Sequence, residues 1–369
     1  MEGVTSSFSP GSILSTSIPV SSGGRSPWAE ILITFVVWTI CLLTIVGNGL
    51  VILTFIVDRR VREKVSNLYI LNLATADFLV GVNSLVFNNL YRATWVWHYG
   101  EHVCKMWLIL DWTTASVAVW AIVLISYDRY VLVTTGLEYD RIQTRRKFYI
   151  HAGITWVTFL LRYAIPNIAY DYWNGEPSYD YSVECGVIFE YLFVAEISHI
   201  FVSVGVPVLL LAFYNVTIFL HIRIRSRGLP RNWGSSVQPD HAGGGTVSTI
   251  SGHGGESSTV MTVEDGETDS HGAAALPQHV VKKKEGTSDL RKLRKSAIML
   301  SLIVGVSATC WIPFHVYVFL TLAEVEVDFT VASSTYYIWW FNSTVNPLIY
   351  VVTNPGIRRA IISIIRMRR

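Results

Sequence analysis

The stretch VCKMWLILDWTTASVAVWAIVLISYDRYVLV, Val103–Val133, decides how this chain is read. It is apolar over a length that crosses a hydrocarbon core of about 30 Å. Yet it carries Asp111 in its body and leads into Asp128-Arg129-Tyr130 near its end. An ionised carboxylate inside a membrane costs roughly 2.5–3.5 kcal/mol on insertion scales, so such an acid reads by default as a site for a positive partner. On one helix, at about 1.5 Å per residue, Asp111 lies about 25 Å from Asp128 and about 10 Å from Cys104. The acid therefore sits just beneath one face of a membrane, and the Asp-Arg-Tyr triplet sits at the other.

The rest of the chain agrees. Of 369 residues, 51% are hydrophobic and 15% charged, and the mean hydropathy is +0.40, outside the range of ordinary soluble domains. Spanning lengths of apolar sequence run through about 31–57, 67–90, 104–133, 148–170, 189–222, 296–322 and 331–353, seven in all. The expected fold is an all-α membrane protein, a seven-helix bundle with a short amphipathic C-terminal helix.

Cations set the orientation. Arg59, Arg60, Arg62 and Lys64 follow the first span, Arg141, Arg145, Arg146 and Lys147 the third, and Arg223, Arg225, Arg227 and Lys282-Lys283-Lys284 the fifth. The positive-inside rule makes these connections cytoplasmic and puts the N-terminus outside, as for a multi-pass plasma-membrane protein. Acids gather on the outer side instead: Asp171, Glu176, Asp180, Glu184 and Glu190 in one loop, Glu324, Glu326 and Asp328 in another. Such a mouth raises the local concentration of cations.

The chain then divides into five parts. Residues 1–30, rich in Ser, Gly, Pro and Thr, form an extracellular head expected to be disordered, with the first span as its own insertion signal. Residues 31–225 carry helices one to five, and 226–290 form a flexible cytoplasmic loop with runs such as Gly243-Gly244-Gly245. Residues 291–354 carry helices six and seven. Residues 355–369 put Ile357, Ala360, Ile361, Ile364 and Ile365 on one face with arginines opposite, an amphipathic helix on the inner leaflet.

The cysteines sort by compartment. Cys41 and Cys310 fall inside apolar spans as buried thiols. Cys104 and Cys185 both face the oxidising side and can pair, pinning the loop across the bundle mouth, where Tyr172, Trp173, Tyr179 and Tyr181 line an entrance.

Seven landmarks on seven spans now carry a resemblance. Gly47-Asn48, Leu73-Ala74-Thr75-Ala76-Asp77, Cys104 with Asp128-Arg129-Tyr130, Trp156, Pro207, Cys310-Trp311-Ile312-Pro313 and Asn346-Pro347-Leu348-Ile349-Tyr350 resemble a rhodopsin-like G-protein-coupled receptor. Ile122–Tyr130 is most similar to histamine and muscarinic receptors, and Phe213-Tyr214-Asn215-Val216 to inhibitory, autoreceptor-type histamine receptors.

The resemblance implies a small cationic amine bound by Asp111, with Trp112, Ala115, Trp311, Phe314, Tyr336 and Trp340 around it and His199, Ser203 and His315 at the far end of the ligand. Ring faces attract a cation by about 0.5–2 kcal/mol each, although an isolated ring in a chain with 13% aromatics is ordinary packing. The chain departs from the histamine pattern at Ser203, where those receptors place an acid; Glu196 stands nearly two turns outward. A sodium site is also implied, built by Asn48, Asp77, Asn342, Ser343 and Asn346, with Ala118 replacing the usual donor of span three. No other cofactor follows.

For signalling, the resemblance implies a heterotrimeric G protein, of the inhibitory class, acting on Asp128, Arg129 and Tyr130. Pro207, Trp311, Pro313, Asn346, Pro347 and Tyr350 carry the movement, with arrestin and receptor kinases as further partners and no nucleic acid. Leu293 stands where relatives hold Arg129 with an acid, Asp289 lies one turn earlier, Ser307 replaces an aromatic and Asn215 a tyrosine, so raised basal signalling is expected.

Other classes fit less well. A transporter would show inverted repeats with broken helices, a channel a polar stripe or charged ring, and an enzyme an associated nucleophile and base. A light receptor needs a lysine in the seventh span, and 331–353 contains none. The alternative within the family is a peptide receptor that uses the acidic loops.

Overall fold

The computed structural model describes residues 27–186, 193–227, 278–323 and 325–366. Seven long helices fall on the seven apolar stretches. They are α1 (Pro27–Val57), α2 (Val65–Leu79, a π-helical stretch Val80–Leu85, then Val86–Thr94), α3 (Gly100–Thr135) and α4 (Arg145–Asn174). There follow α5 (Phe193–Ile200, a π-helical stretch Phe201–Gly205, then Val206–Arg227), α6 (Gln278–Leu322), α7 (Phe329–Thr353) and the short α8 (Pro355–Ile365).

Five of these, α1, α2, α3, α5 and α6, are long and apolar enough to cross a membrane, and α7 joins them when taken with α8, which turns away from it by 102°. Helix α4 has the length, 30 residues, but His151 and Arg162 dilute its apolar run.

Helix α3 is the axle. It packs against α2, α4, α5 and α6, while α7 closes the ring by packing against α1 and α6. Nearly all its middle turns are buried, from Trp107 to Val133, because it is surrounded by protein and not by lipid. Helix α1 shows the opposite pattern, with Ile31, Leu32, Phe35 and Leu42 exposed on its outer side.

Small residues set the closest approaches. A Cβ on Gly47 would meet the Pro347 ring at 3.1 Å, and one on Gly81 would meet Ile45 at 2.8 Å, so α1 lies against α7 and α2 only through glycine. The starts of α7 and α8 are capped by side chains. Asp328 accepts from Thr330 N and Val331 N at the start of α7, and Asn354 from Gly356 N and Ile357 N at the start of α8. The Asn354 cap fixes the sharp turn that lays α8 across the base, with Ile357, Ala360 and Ile361 buried.

Three boundaries differ from the sequence reading. Helix α1 starts at Pro27, inside the expected head, because proline suits the first helical turn; residues 1–26 lie outside the described residues. Helix α6 reaches back to Gln278, through residues 278–290 of the expected flexible loop, where Lys282-Lys283-Lys284-Glu285 are good helix formers. Helix α4 runs on to Asn174, so Tyr172 and Trp173 are on its last turn and not in the loop, 86% and 80% exposed, with Tyr172 lining an open pocket beside Lys105 and Asp171.

Candidate functional site

Asp111 is 7% exposed, on the inward face of α3, and its Oδ1 has no hydrogen-bond partner among the described residues. Two polar groups face the carboxylate: the Ser84 hydroxyl, presented by the π-helical stretch of α2, and the Trp340 indole of α7. Neither closes a hydrogen bond, so the Ser84 Oγ and Trp340 Nε1 are unmatched as well. A buried carboxylate oxygen without a partner loses water and gains nothing, a cost of about 1–3 kcal/mol or more for a charged group. A cationic hydrogen-bond donor is the chemistry that removes it.

Aromatic rings close around this spot. Trp112, Phe314, Tyr336 and Trp340, all expected from the sequence, are joined by Trp339, which was not. Trp339 stacks on Phe314 with centroids 4.5 Å apart and planes at 3°. It lies 6.0 Å from Trp112 and 6.2 Å from Trp340, and Tyr336 meets Phe314 edge-on at 4.8 Å. Trp311, Ala115, Trp339 and Trp340 line a small cavity of about 20 Å³, with Ala118, Asn342 and Ser343 at its floor.

The far end of the site is a hydrogen-bonded chain. Ser116 and the Tyr163 hydroxyl are 2.8 Å apart, Tyr163 and His199 Nδ1 2.9 Å, and Ser203 and His199 Nδ1 3.3 Å. Ser203 reaches this chain from the π-helical stretch of α5. His199 meets the Trp112 ring edge-on at 5.1 Å. His315 turns back instead, its Nδ1 2.8 Å from the Trp311 carbonyl, with its ring 5.4 Å from Phe314. The Glu196 side chain lies outside the described residues.

Below the cavity runs a second polar network. Asn346 donates to Asp77 Oδ2 at 2.8 Å, Asn48 donates to the Ser343 and Thr44 carbonyls, and Ser307 donates to Asn342 Oδ1 at 2.9 Å. Asp77 is fully buried. Asp77 Oδ1, Asn48 Oδ1 and Asn346 Oδ1 have no protein partner among the described residues.

At the inner end of α3, Asp128 is engaged through one oxygen, and its Oδ2 has no hydrogen-bond partner among the described residues. Its Oδ1 accepts from the Tyr139 hydroxyl at 2.7 Å and from Gln143 Nε2 at 3.3 Å, and its Oδ2 lies 3.7 Å from Arg129 Nε. Leu293 of α6 is buried nearby in the inner half of the core. Tyr130 packs on Tyr214 and Phe213 of α5, and the buried Tyr350 hydroxyl finds no partner among the described residues.

Over the outer mouth, Cys104 and Cys185 form the disulfide, and Trp97 N donates to Val183 O at 2.8 Å. Asp171, one of the expected attracting acids, is occupied: it pairs with Lys105 at 2.8 Å and accepts from Ser178 and Tyr181. Partial burial would raise its carboxyl, but the Lys105, Ser178 and Tyr181 bonds outweigh that and hold it below the usual carboxylate range. Glu190 and Glu324 lie outside the described residues.

Most of the candidate residues were visible in the chain order; Trp339, Tyr163, Ser84, Tyr139 and Gln143 were not. Trp339 had a signal, since it adjoins Trp340 in Tyr336-Tyr337-Ile338-Trp339-Trp340. The helical register that turns it inward is set by packing against α6.

A carboxylate shut inside a helix bundle near one membrane face, joined by a single helix to an arginine at the other, belongs to a protein that senses on one side and signals on the other. The chain is a multi-pass membrane receptor. Residues 47–350 match the family described as 7 transmembrane receptor (rhodopsin family), and the chain belongs to that family, whose members are receptors and not enzymes. It is 29% identical over 377 residues to the histamine H4 receptor of Mus musculus, covering 92% of this chain and 93% of that one. It is 25% identical over 357 residues to the 5-hydroxytryptamine receptor 1B of Homo sapiens, covering 93% and 87%. With the octopamine receptor beta-2R of Drosophila melanogaster it shares 27% over 337 residues, 88% of this chain and 59% of the relative. These relatives place it among receptors of the biogenic-amine type.

Proposed function

We propose that this receptor binds a small cationic amine at Asp111, from the extracellular side, and activates a heterotrimeric G protein of the inhibitory class through Arg129. The observation that carries the reading is the Asp111 Oδ1, buried and unmatched, beside the equally unmatched Ser84 and Trp340. An ammonium satisfies the carboxylate, and its remaining charge faces the rings of Trp112 and Trp340. The names of the relatives, receptors for histamine, 5-hydroxytryptamine and octopamine, favour an amine.

His199 and Ser203 receive the far end of the ligand. Held by Tyr163, His199 suits a neutral hydrogen-bonding group. Without an acid at Ser203, a second cation has no counter-ion there.

Activation in this reading is a shift between two packings of the bundle, favoured by a ligand that binds one of them better. Trp311 borders the cavity beside the ligand space, and Pro313 and Pro347 interrupt the hydrogen bonding of α6 and α7. Movement of α6 exposes Arg129, which Asp128 alone restrains at 3.7 Å among the ion pairs of the described residues. Raised basal signalling is the corollary.

The three unmatched oxygens of Asp77, Asn48 and Asn346 are hard donors that fit a sodium ion, and Ser343 joins the network through its carbonyl, which accepts from Asn48, while Asn342 accepts from Ser307. In this reading the ion stabilises the resting packing.

The test is a panel of biogenic amines and acetylcholine, read as G-protein activation in wild type and Asp111→Asn. An amine whose potency depends on Asp111 is expected. An agonist whose potency is the same in both proteins would remove the amine reading and leave a peptide receptor as the alternative.

A further inference from the structure

We infer that Trp339 is the specificity-determining residue of the amine site: its indole occupies the space that an aromatic ring of a ligand would take, so the wild-type receptor selects amines without an aryl group. The inference rests on the amine reading above and deepens it.

The geometry is that of a filled subsite. An aromatic ring slipped between two others needs a gap of about 3.5 Å on each side, roughly 7 Å between the outer planes. Phe314 and Trp339 are parallel within 3° at a centroid distance of 4.5 Å, which excludes a third ring. The other approaches are closed too. Trp112 lies 6.0 Å from Trp339 at 47°, and Trp340 6.2 Å away at 22°, so the indole is bracketed on three sides by rings from α3, α6 and α7. The space left between Trp311, Trp339 and Trp340 is about 20 Å³, enough for one water-sized group and far below the volume of a ring.

The position of the indole makes the limit specific. Trp339 lies 6.0 Å from Trp112, whose ring meets His199 at 5.1 Å, so Trp112 stands between Trp339 and the far polar chain. Its chain neighbour Trp340 faces Asp111 directly. A ring attached to an ammonium at Asp111 would therefore compete for the space that the Trp339 indole fills beside Trp340. Among the ring pairs of the network, Phe314 with Trp339 is the tightest.

Removing the indole reverses the selection. Truncation of a tryptophan leaves an apolar cavity of about 150 Å³, the size at which a buried cavity takes up benzene. The ring of an arylalkylamine fills that cavity while its ammonium reaches Asp111.

The experiment uses the full-length receptor in lipid nanodiscs and compares wild type, Trp339→Ala, Asp111→Asn and the double variant. Tryptamine, n-butylamine and free indole are the probes, read by thermal unfolding. Tryptamine is expected to stabilise Trp339→Ala at concentrations at least about tenfold lower than wild type, a difference of about 1.4 kcal/mol. Free indole should favour Trp339→Ala in the same way, and n-butylamine should not discriminate between the two proteins.

Tryptamine binding wild type within about threefold of Trp339→Ala would overturn the inference and leave the amine reading intact. Indole and tryptamine gains that persist in the double variant would support the filled subsite while removing Asp111 as the anchor. Should Trp339→Ala fail to fold, Trp339→Leu, which keeps apolar volume but no ring, serves with the same probes. No gain of tryptamine or indole binding in either folded variant overturns the inference.

Discussion

Asp111 and Asp128 are two buried acids on one helix, and they differ in the partners that the protein gives them. Asp128 receives Tyr139, Gln143 and Arg129; the Asp111 Oδ1 receives nothing among the described residues, although Ser84 and Trp340 face the carboxylate. Both acids keep one unmatched oxygen, but Asp128 has two hydrogen bonds on the other and a guanidinium at 3.7 Å, whereas no ion pair among the described residues reaches Asp111. The difference follows from what surrounds each. Short helical turns after α3 bring polar side chains back onto Asp128, whereas the neighbours of Asp111 are mostly rings. In the proposed reading, a bundle built this way accepts a charge at one end and holds an arginine in a weak local pair at the other.

The largest way to break the comparison is at the inner end. Arg129→Ala should reduce both basal and agonist-driven nucleotide exchange to the level of receptor-free membranes while amine binding survives. Basal exchange in wild type no greater than in Arg129→Ala would contradict the raised basal signalling expected from Leu293 and the 3.7 Å pair with Asp128.

Asp77→Asn comes next. Replacing sodium by choline should change amine affinity about fivefold in wild type, at the low end of typical coupling free energies, and leave Asp77→Asn unaffected. Equal sodium dependence in both would exclude a site at Asp77.

Tyr139→Phe is a smaller test of why Asp128 is quiet. It removes the 2.7 Å bond and leaves Gln143 in place. A hydrogen bond to a charged group is worth about 1.5–3 kcal/mol, so basal exchange should rise and melting temperature fall. Unchanged basal exchange would assign Tyr139 to stability alone.

The smallest effect is at the outer lid. The carboxyl of Asp171 lies below its usual range, held there by Lys105, Ser178 and Tyr181. A group with a depressed folded pKa contributes stability that is present above the unfolded carboxylate value and lost as pH falls through the folded one. Asp171→Asn should therefore lower the melting temperature at pH 7 by about 1–2 °C, as for a weak surface pair. The gap should close as the wild type is acidified. A gap that persists at low pH would exclude the charge as its origin.

Much of this molecule was legible in the order of its residues. Seven apolar stretches with cations on alternate connections gave the helices, and Cys104, at the outer start of a span, and Cys185, in an outer loop, were the two cysteines on the oxidising side. Asp111, Asp77 and Asp128 declared themselves because a charge in an apolar run is conspicuous. What stayed hidden depends on packing. Trp339 looked like one more aromatic in a rich segment, and only the contact with Phe314 at 4.5 Å gives it a role. Tyr163 and Ser116 are separated from His199 by long stretches of chain and meet it only when α3, α4 and α5 pack. The π-helical stretches, which turn Ser84 and Ser203 inward, leave no mark in hydropathy. Arg62 illustrates the same limit: expected as a membrane-flanking cation, it also donates to the Phe55 and Ile56 carbonyls and ends α1.

The central claim is that the unmatched carboxylate oxygen of Asp111 is matched by an ammonium. It is tested most directly by measuring the potency of an activating amine in wild type and in Asp111→Asn, which keeps the shape and removes the charge. Loss of one partner of a buried charge pair costs about 2–5 kcal/mol, so the account predicts a potency at least about 30-fold lower in Asp111→Asn. Equal potency in the two proteins, with equal surface expression, would contradict it.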